Sequence, residues 1–465
     1  MNMRDYEPYY TEDGSIGLYS YADKDVYHSK FGALTEAWEK FVIPSGISSL
    51  IDNKQNIKVL DVCYGIGYNT KALMSFIINK NLKQIKNKNL IEKIRYFVSI
   101  HTNNFFKKKE SELLVYNESI DTNNSLFENL KIDCLDINKE LMKLSPFFKT
   151  IKTPGEVYDS FVPQIFTCFD SYYKLRKIYE NIASIFYPRN KKTIKEKLDI
   201  KFKNMHIDKE YKVNGLVNYI LINSLSKNFK KNYIDNELKK ILKERQISNF
   251  LDKSTIRYAR FNQFWEYNLS SGNILSTFLH NIYYRYLSSR YKNINFKKAE
   301  HLFDVNFYPN DARKTIKKLK ETYDCIFLDA FTYTLAPQLW SVEFVNELYE
   351  HLNDNGVILT YSNSAQIRNT FLENNLFVGK IYNKKLGKFV GTIASKNKSK
   401  IKYPLTNYEL GLCNTTAGIP YHDPNLSFSK KEILEFREYE FRHSNLMSSS
   451  KYIKIRSMRE SNDEI

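Results

Sequence analysis

Cysteine is scarce in this sequence, and what there is does not pair up. Cys63, Cys134, Cys168, Cys325 and Cys413 are odd in number, scattered, and nowhere in C-x-x-C spacing. That pattern argues against a disulfide framework and against a zinc site. Three of them fall in or beside expected strands, where cysteine serves as a small buried hydrophobe. No stretch approaches the roughly 18 apolar residues of a membrane span. The opening residues, Met1 to Tyr10, carry charges but no apolar h-region, so a signal peptide is not expected and the reading is cytoplasmic. Residues 146–300 lack glycine and proline clusters at strand spacing and show no internal repeat.

Positive charge is in excess. The formal charge is +18 with a pI near 9.3 over 465 residues, enough chain for one large core or two to three domains. Nucleic acid is the leading class of partner for such a balance. The abundance of Lys, Asn and Ile also fits an AT-rich genome, which would give the same charge without selection for binding. Aromatic residues make up 15%, which speaks against disorder.

The chain is organised around Lys58-Val59-Leu60-Asp61-Val62-Cys63-Tyr64-Gly65-Ile66-Gly67-Tyr68-Asn69-Thr70. An apolar β-branched run leads into a tight Gly-x-Gly turn, and a helical pattern follows from Thr70 to Ile78. Turn glycines let the backbone bend sharply and approach a ligand. The helix start offers unpaired N–H groups and a positive dipole end. The third glycine of the dinucleotide fingerprint is missing, since Asn69 and Thr70 follow Gly67. The truncated form suits S-adenosylmethionine better than NAD.

Other elements follow in order. Asp13-Gly14-Ser15 is a turn signal before a short strand, Ile16 to Ser20. Tyr27-His28-Ser29 precedes a helix opening at Gly32 and running through Phe41. A second strand is expected over Ile94 to Ile100, ending at His101. An acid that accepts hydrogen bonds from a ribose belongs at that position. His101 stands there, while Asp136, after Lys131 to Leu135, has the right chemistry but lies further along. Both stay open. Residues 146–300 read as mostly helical, with amphipathic segments over Tyr172–Phe186 and Ile274–Tyr291. Tyr283, Tyr284, Arg285, Tyr286, Arg290 and Tyr291 could stack on bases and pair phosphates, or form an ordinary amphipathic face.

Strand–helix alternation then returns. Strands are expected at Val305–Tyr308, Tyr323–Phe331 and Gly356–Tyr361, with helices at Lys314–Lys320, Trp340–Leu352 (stopped by Asn355-Gly356) and Ala365–Asn374. A final strand pair lies around Phe377–Ile381 and Gly391–Ser395. This predicts an α/β fold, a largely parallel sheet with one antiparallel edge, on the plan of a Rossmann-like class I methyltransferase. The expected divisions are an N-terminal extension at 1–50, the sheet domain at 51–101 and 300–400, a mostly helical insertion at 102–299 and a polar tail at 401–465.

Several residue sets together resemble the MnmC-type tRNA methyltransferases, which finish the 5-methylaminomethyl-2-thiouridine wobble modification. They are Asp13-Gly14-Ser15, Tyr27-His28-Ser29 with Gly32 and Glu36, Gly65-Ile66-Gly67-Tyr68-Asn69, Asp311-Ala312, Phe327-Leu328-Asp329-Ala330-Phe331, Pro337 with Leu339-Trp340, Thr360-Tyr361-Ser362 and Gly391 to Ser395. The resemblance covers roughly 1–101 and 300–397. No second Gly-x-Gly-x-x-Gly exists, so it implies the methyltransferase half without the flavin oxidase, with no flavin and no metal. Three departures stand out: His101 in place of an acid, Thr332-Tyr333-Thr334 before Pro337, and the long insertion.

The resemblance implies S-adenosylmethionine as methyl donor and tRNA as partner, with a separate oxidase supplying the aminomethyl precursor. Gly65, Gly67, Tyr68, Asn69, Glu36, His101, Asp311 and Ala312 would bind the cofactor, with Asp311 reading the adenine amino group. Phe331, Tyr333 and Trp340 would form a stacking wall for the extruded base, with His28 nearby. Asp329 is the catalytic candidate. An ordinary carboxylate, with a pKa of about 3.9, is a feeble base toward an ammonium ion of pKa about 10.4, and its charge would raise the amine's own pKa. The expected role is therefore electrostatic: Asp329 stabilises the positive charge arriving on nitrogen and orients the lone pair. Two other readings remain: a spermidine-synthase-like aminopropyltransferase, and a non-catalytic RNA-binding module on the same fold.

Overall fold

The computed structural model describes residues 6–22, 24–28, 32–53, 56–85, 129–149, 215–229, 236–242, positions scattered through 244–259, 302–384 and 386–463. The expected strand at 94–100, His101, Cys168, the segment Tyr172–Phe186 and the tyrosine–arginine run at 283–291 lie outside these residues.

Three short strands open the chain: β1 (Tyr6–Tyr10), β2 (Ile16–Ser20) and β3 (Asp25–Val26) form a small antiparallel sheet. The Asp13-Gly14-Ser15 turn between β1 and β2 is a clamp. One Asp13 oxygen accepts from the backbone and hydroxyl of Ser15, and the other from the backbone and hydroxyl of Thr35 at 2.8 Å. Ser15 Oγ in turn accepts from Ala33 and Leu34 N–H, so the turn caps helix α1 (Ala33–Glu36) from outside its own sequence. Gly32 is required there, because a Cβ would sit 2.2 Å from the Asp13 carboxylate. Helix α1 continues as a π-helical turn over Ala37–Val42, and α2 (Ile47–Asn53) leads to the main sheet.

That sheet has seven strands. β4 (Asn56–Val62) precedes helix α3 (Tyr68–Ile85), followed by β5 (Asn129–Asp136), β6 (Phe303–Pro309), β7 (Tyr323–Leu328), β8 (Leu352–Thr360), β9 (Phe377–Asn383) and β10 (Lys388–Ser395). Their spatial order is β6-β5-β4-β7-β8-β10-β9, parallel except for β10, which is antiparallel to both neighbours. The order reverses at β4, so the crevice at its carboxyl end is the switch point where ligands bind in such sheets. The expected class I plan is observed. Alternation along each strand feeds two cores: Ile57, Val59 and Phe327 face one, and Leu60, Val62 and Leu328 the other.

Three expectations need correcting. The strand beside β4 is Asn129–Asp136, so the sheet takes a strand from within the stretch expected as a helical insertion. The helix after Trp340 spans Val342–Glu350, capped by Ser341, and β8 begins at Leu352. Asn355-Gly356 therefore lies inside a strand, at a register slip against β7, where a Cβ on Gly356 would come 2.8 Å from the Tyr323 carbonyl oxygen. Finally, residues 401–463 are no loose tail. They carry helices at Asn407–Cys413, Lys430–His443 and Ser449–Asp463, and bury Tyr421, Asp423, Leu426 and Ile433 against the second core.

Candidate active site

The Gly-x-Gly turn joins β4 to α3. Gly65 and Gly67 take left-handed φ values of +56° and +79°, and a Cβ on Gly67 would run into the Tyr64 ring at 2.4 Å. The turn is held from the neighbouring strand. Cys63 and Tyr64 donate to the Leu135 carbonyl, and Gly65 N–H donates to Asp136 Oδ2 at 2.7 Å. Cys63 also has a left-handed φ of +67°, which an L residue with a Cβ adopts only at a cost. Cys63→Gly is expected to stabilise the fold by about 0.5–1 kcal/mol, read as a higher denaturation midpoint with unchanged slope. A lower midpoint would show that the thiol's packing outweighs the strain.

Three carboxylates end three adjacent strands. Asp61, on β4, is fully buried: Oδ2 accepts from Thr70 Oγ1 at 2.6 Å, and Oδ1 has no partner. Burial pushes its pKa up to about 7. Asp136, on β5, accepts from Gly65 and Asn138 N–H, yet burial still raises it to about 6. Asp329, just past β7, accepts from Asn69 Nδ2 at 2.9 Å. Burial raises it to about 7, with Glu36 and Asp61 pushing the same way and Asn69 and Lys40 opposing.

The N-terminal unit covers this edge. Glu36 pairs with Lys40 Nζ at 2.7 Å, and Lys40 lies 5.9 Å from the centre of the Tyr361 ring. Tyr361 donates to the Ala330 carbonyl at 2.9 Å. Phe331 meets Tyr27 edge-on, centroids 4.8 Å apart. His28 packs edge-on to Tyr68 at 5.2 Å; burial lowers its pKa to about 4, so it is neutral, and its Nε2 has no partner.

The structure thus brings together Gly65, Gly67, Asn69, Asp329, Phe331, Glu36 and His28. Other expected residues have different work. Trp340 is 1% exposed and donates from Nε1 to the Phe331 carbonyl, so it fixes the Asp329–Phe331 loop from below and cannot stack on a base. Tyr333 is turned toward Tyr421 of the C-terminal segment, at 6.4 Å. The Tyr68 hydroxyl accepts from Ile16 N–H, tying α3 to the N-terminal sheet. Asp311 caps the helix Ala312–Ile316 and pairs with Arg313 at 2.8 Å, with Ala312 buried behind it. Tyr27 and Tyr361 stand in runs that carry the family resemblance but have no role assigned from the sequence, and Asp61 and Lys40 have none either. Asp61 carries a usable signal, as an acid near the end of the strand before the turn.

Residues 274–396 match a family described as S-adenosyl-L-methionine-dependent methyltransferase. Over that stretch the chain is similar to this methyltransferase family. The uncharacterised protein MJ0670 of Methanocaldococcus jannaschii is 29% identical over 163 residues, 34% of this chain and 45% of that protein. The chain therefore matches less than half the length of this curated relative. The crystal structure of MNMC2 from Aquifex aeolicus covers 94% of this chain and 86% of its own at 17% identity and a TM-score of 0.49. The fold assignment stands on the strand order rather than on that overlap.

The turn fits the cofactor of this family. A buried carboxylate oxygen without a partner (Asp61 Oδ1) lies beside two left-handed glycines. Asp136, at the end of the neighbouring strand, keeps acceptor capacity beyond its two backbone donors. Asp136 thus ends the strand beside β4 with an acid, where folds of this plan place a ribose contact, while His101 lies outside the described residues. Among the described residues no helix is long and apolar enough to cross a membrane, and no group of three His, Cys, Asp or Glu could hold a metal ion.

Proposed function

We propose that this chain methylates the primary amine of the 5-aminomethyl-2-thiouridine wobble base of tRNA, in the cytoplasm, downstream of a separate oxidase that supplies that amine. The observation that carries this reading is Asp329, a carboxylate raised to about 7 and held at the switch-point edge by Asn69. Bound S-adenosylmethionine would supply an electrophilic methyl group. Gly65, Gly67, Asp61, Asp136 and Asp311 would hold it.

The chain's own residues have two tasks at the acceptor. The first is to present a neutral amine. An alkyl ammonium has a pKa of about 10.4, more than six units above an ordinary carboxylate but only about three above Asp329 as it stands here. Burial therefore changes the role expected of this residue, from a fixed charge to a general base. The Lys40 cation nearby works against protonation of the amine. The second task is positioning. Asn69 occupies Asp329 Oδ2 and leaves Oδ1 for the substrate nitrogen, while Phe331 and Tyr27 offer an aromatic edge for the base. Asp329 takes one proton from the ammonium before attack and later returns it to solvent; as nitrogen gains the methyl it becomes cationic again, and the product leaves as the ammonium ion.

The test uses labelled S-adenosylmethionine with two tRNA preparations, one carrying the aminomethyl group and one lacking it. Label should enter the first alone, at the wobble nucleoside. Equal labelling of both, or none of either, would overturn the substrate assignment. Aminopropyl transfer from the decarboxylated cofactor to a diamine would replace it with the spermidine-synthase reading.

A further inference from the structure

The edge of the sheet opposite β6 carries a surface that the transfer chemistry does not use. Between Glu373 and Glu409 the sequence holds 35 residues with eight lysines and no acid; the chain's overall 52 acids in 465 would place about four there. A uniformly lysine-rich genome raises lysine but does not clear the acids, so the stretch is locally biased.

Its position is fixed by the topology. Because β10 runs antiparallel to β8, with Thr392 opposite Thr360, the turn between β9 and β10 emerges at the edge that holds Tyr361 and Asp329. Asn383, closing β9, is hydrogen-bonded to Glu39, on the helical segment that carries Glu36 and Lys40. The hairpin turn thus lies at the same edge of the sheet as the acceptor site. Three rings cluster on it. Tyr382 lies 5.3 Å from Phe389 and 5.6 Å from Tyr403, and Phe389 lies 5.8 Å from Tyr403. Tyr382 and Phe389 are 38% and 39% exposed. Lys384, Lys388 and Lys402 are exposed around them, with Lys402 Nζ 5.3 Å from the Tyr403 ring centre. Lys380 supports the cluster from beneath: it is buried, ion-paired to Glu409 at 2.8 Å, and lies 4.3 Å from the Phe389 ring centre.

The chemistry selects the occupant. The outer backbone of β9 is already engaged, since Lys380 N–H donates to the Tyr403 carbonyl and Gly379 bridges Pro404. Adding a partner's strand is therefore blocked there, and what the edge offers is side chains. Solvent-facing rings interleaved with exposed lysines, with the neighbouring Glu39 and Glu409 engaged by Asn383 and Lys380, match a polyanion with planar bases. We propose that Tyr382, Phe389 and Tyr403, with Lys384, Lys388 and Lys402, form the surface on which single-stranded RNA flanking the target base lies. The identity of that RNA rests on the function proposed above; the surface itself does not.

The test measures binding of the full chain to a fluorescent, unmodified anticodon stem-loop RNA between about 50 and 200 mM salt. The triple variant K384A/K388A/K402A should bind at least tenfold more weakly at about 0.1 M salt. Its slope of log affinity against log salt should fall by about two, at about 0.7 per lost phosphate contact. Phe389→Ser should weaken binding several-fold and leave the slope unchanged, because stacking is not ionic. Retained S-adenosylmethionine binding by calorimetry shows that each variant is folded. A control triple elsewhere on the surface, K314A/K318A/K320A, on and just beyond the helix Ala312–Ile316, should bind as the parent does. Equal weakening by both triples would replace a site with diffuse charge, and an unchanged affinity in K384A/K388A/K402A would overturn the proposal. So would binding of phosphatidylserine vesicles in place of RNA. RNA binding through this edge without methylation of the aminomethyl base would remove the proposed substrate and leave the surface standing. Methylation by K384A/K388A/K402A at the parent's KM would do the reverse.

Discussion

Asp329→Asn is expected to lower kcat for methyl transfer by about 10²–10⁴-fold, the range typical of a general base, with little change in cofactor affinity. The substitution is nearly isosteric and can keep a hydrogen bond to Asn69, so the loss reads proton acceptance rather than packing. The pH profile separates this role from a purely electrostatic one. The carboxyl is raised by burial to about 7, with Glu36, Asp61 and Lys40 the charged groups facing it. Its protonated form cannot take a proton, so kcat should climb as pH rises toward 7 and level off above it. In Asp329→Asn that limb should vanish. A profile unchanged by the substitution would assign the rise to another group, and full activity would remove Asp329 from the chemistry.

The second large effect is structural. Asp423 is fully buried at the junction between the C-terminal segment and the sheet domain. One oxygen pairs with Arg313 Nη1 at 2.8 Å and the other accepts from Phe428 N–H at 2.7 Å, while its own N–H donates to Glu343. Asp423→Ala is expected to destabilise the protein by about 3 kcal/mol, the lower end for breaking a buried pair, because Arg313 keeps Asp311 as a second partner. Urea unfolding measures the loss. Asp423→Asn should cost less, since the amide oxygen can still accept from Phe428. Arg313 also grips Asp311, so the weakened junction should loosen the carboxylate expected to read adenine and reduce cofactor affinity. A midpoint within experimental scatter of the parent would show that the Arg313–Asp423 pair does not hold 401–463 in place.

The strands were legible where apolar runs are nearly continuous, as at Val59–Val62 and Tyr323–Leu328, which are buried on both faces. β5 was harder, because Lys131 and Asp133 interrupt its pattern. Asp133 is buried only because Tyr323 and Asn306, far along the chain, donate to it. The C-terminal segment looked like a tail for the same reason: its polar residues are matched by partners such as Arg313 and Glu343 that composition does not reveal. In the site, position was readable and protonation was not. The strand-end acid Asp329 stands in the sequence, but its raised pKa comes from burial and from Glu36 and Asp61 on two other elements. Trp340 supports the loop from the core, and in sequence an aromatic beside a binding loop looks the same whether it faces the ligand or supports the loop.

The strand order also bears on how the chain is made. β4 sits between β5 and β7, yet β7 begins at Tyr323, some 260 residues after β4 ends at Val62. On the ribosome, one side of β4 must therefore wait, unpaired, until most of the polypeptide has emerged. β5 likewise waits for β6, at Phe303. Parallel pairing across such separations is slow to close and leaves apolar strand edges open meanwhile. The hydrogen bonds of the N-terminal clamp, from Thr11 to Thr35, lie within that stretch and can form early, although Ile16 still awaits Tyr68. Synthesis should then pass through a long interval in which the N-terminal turn precedes an unfinished sheet, the stage at which this protein would most depend on a chaperone.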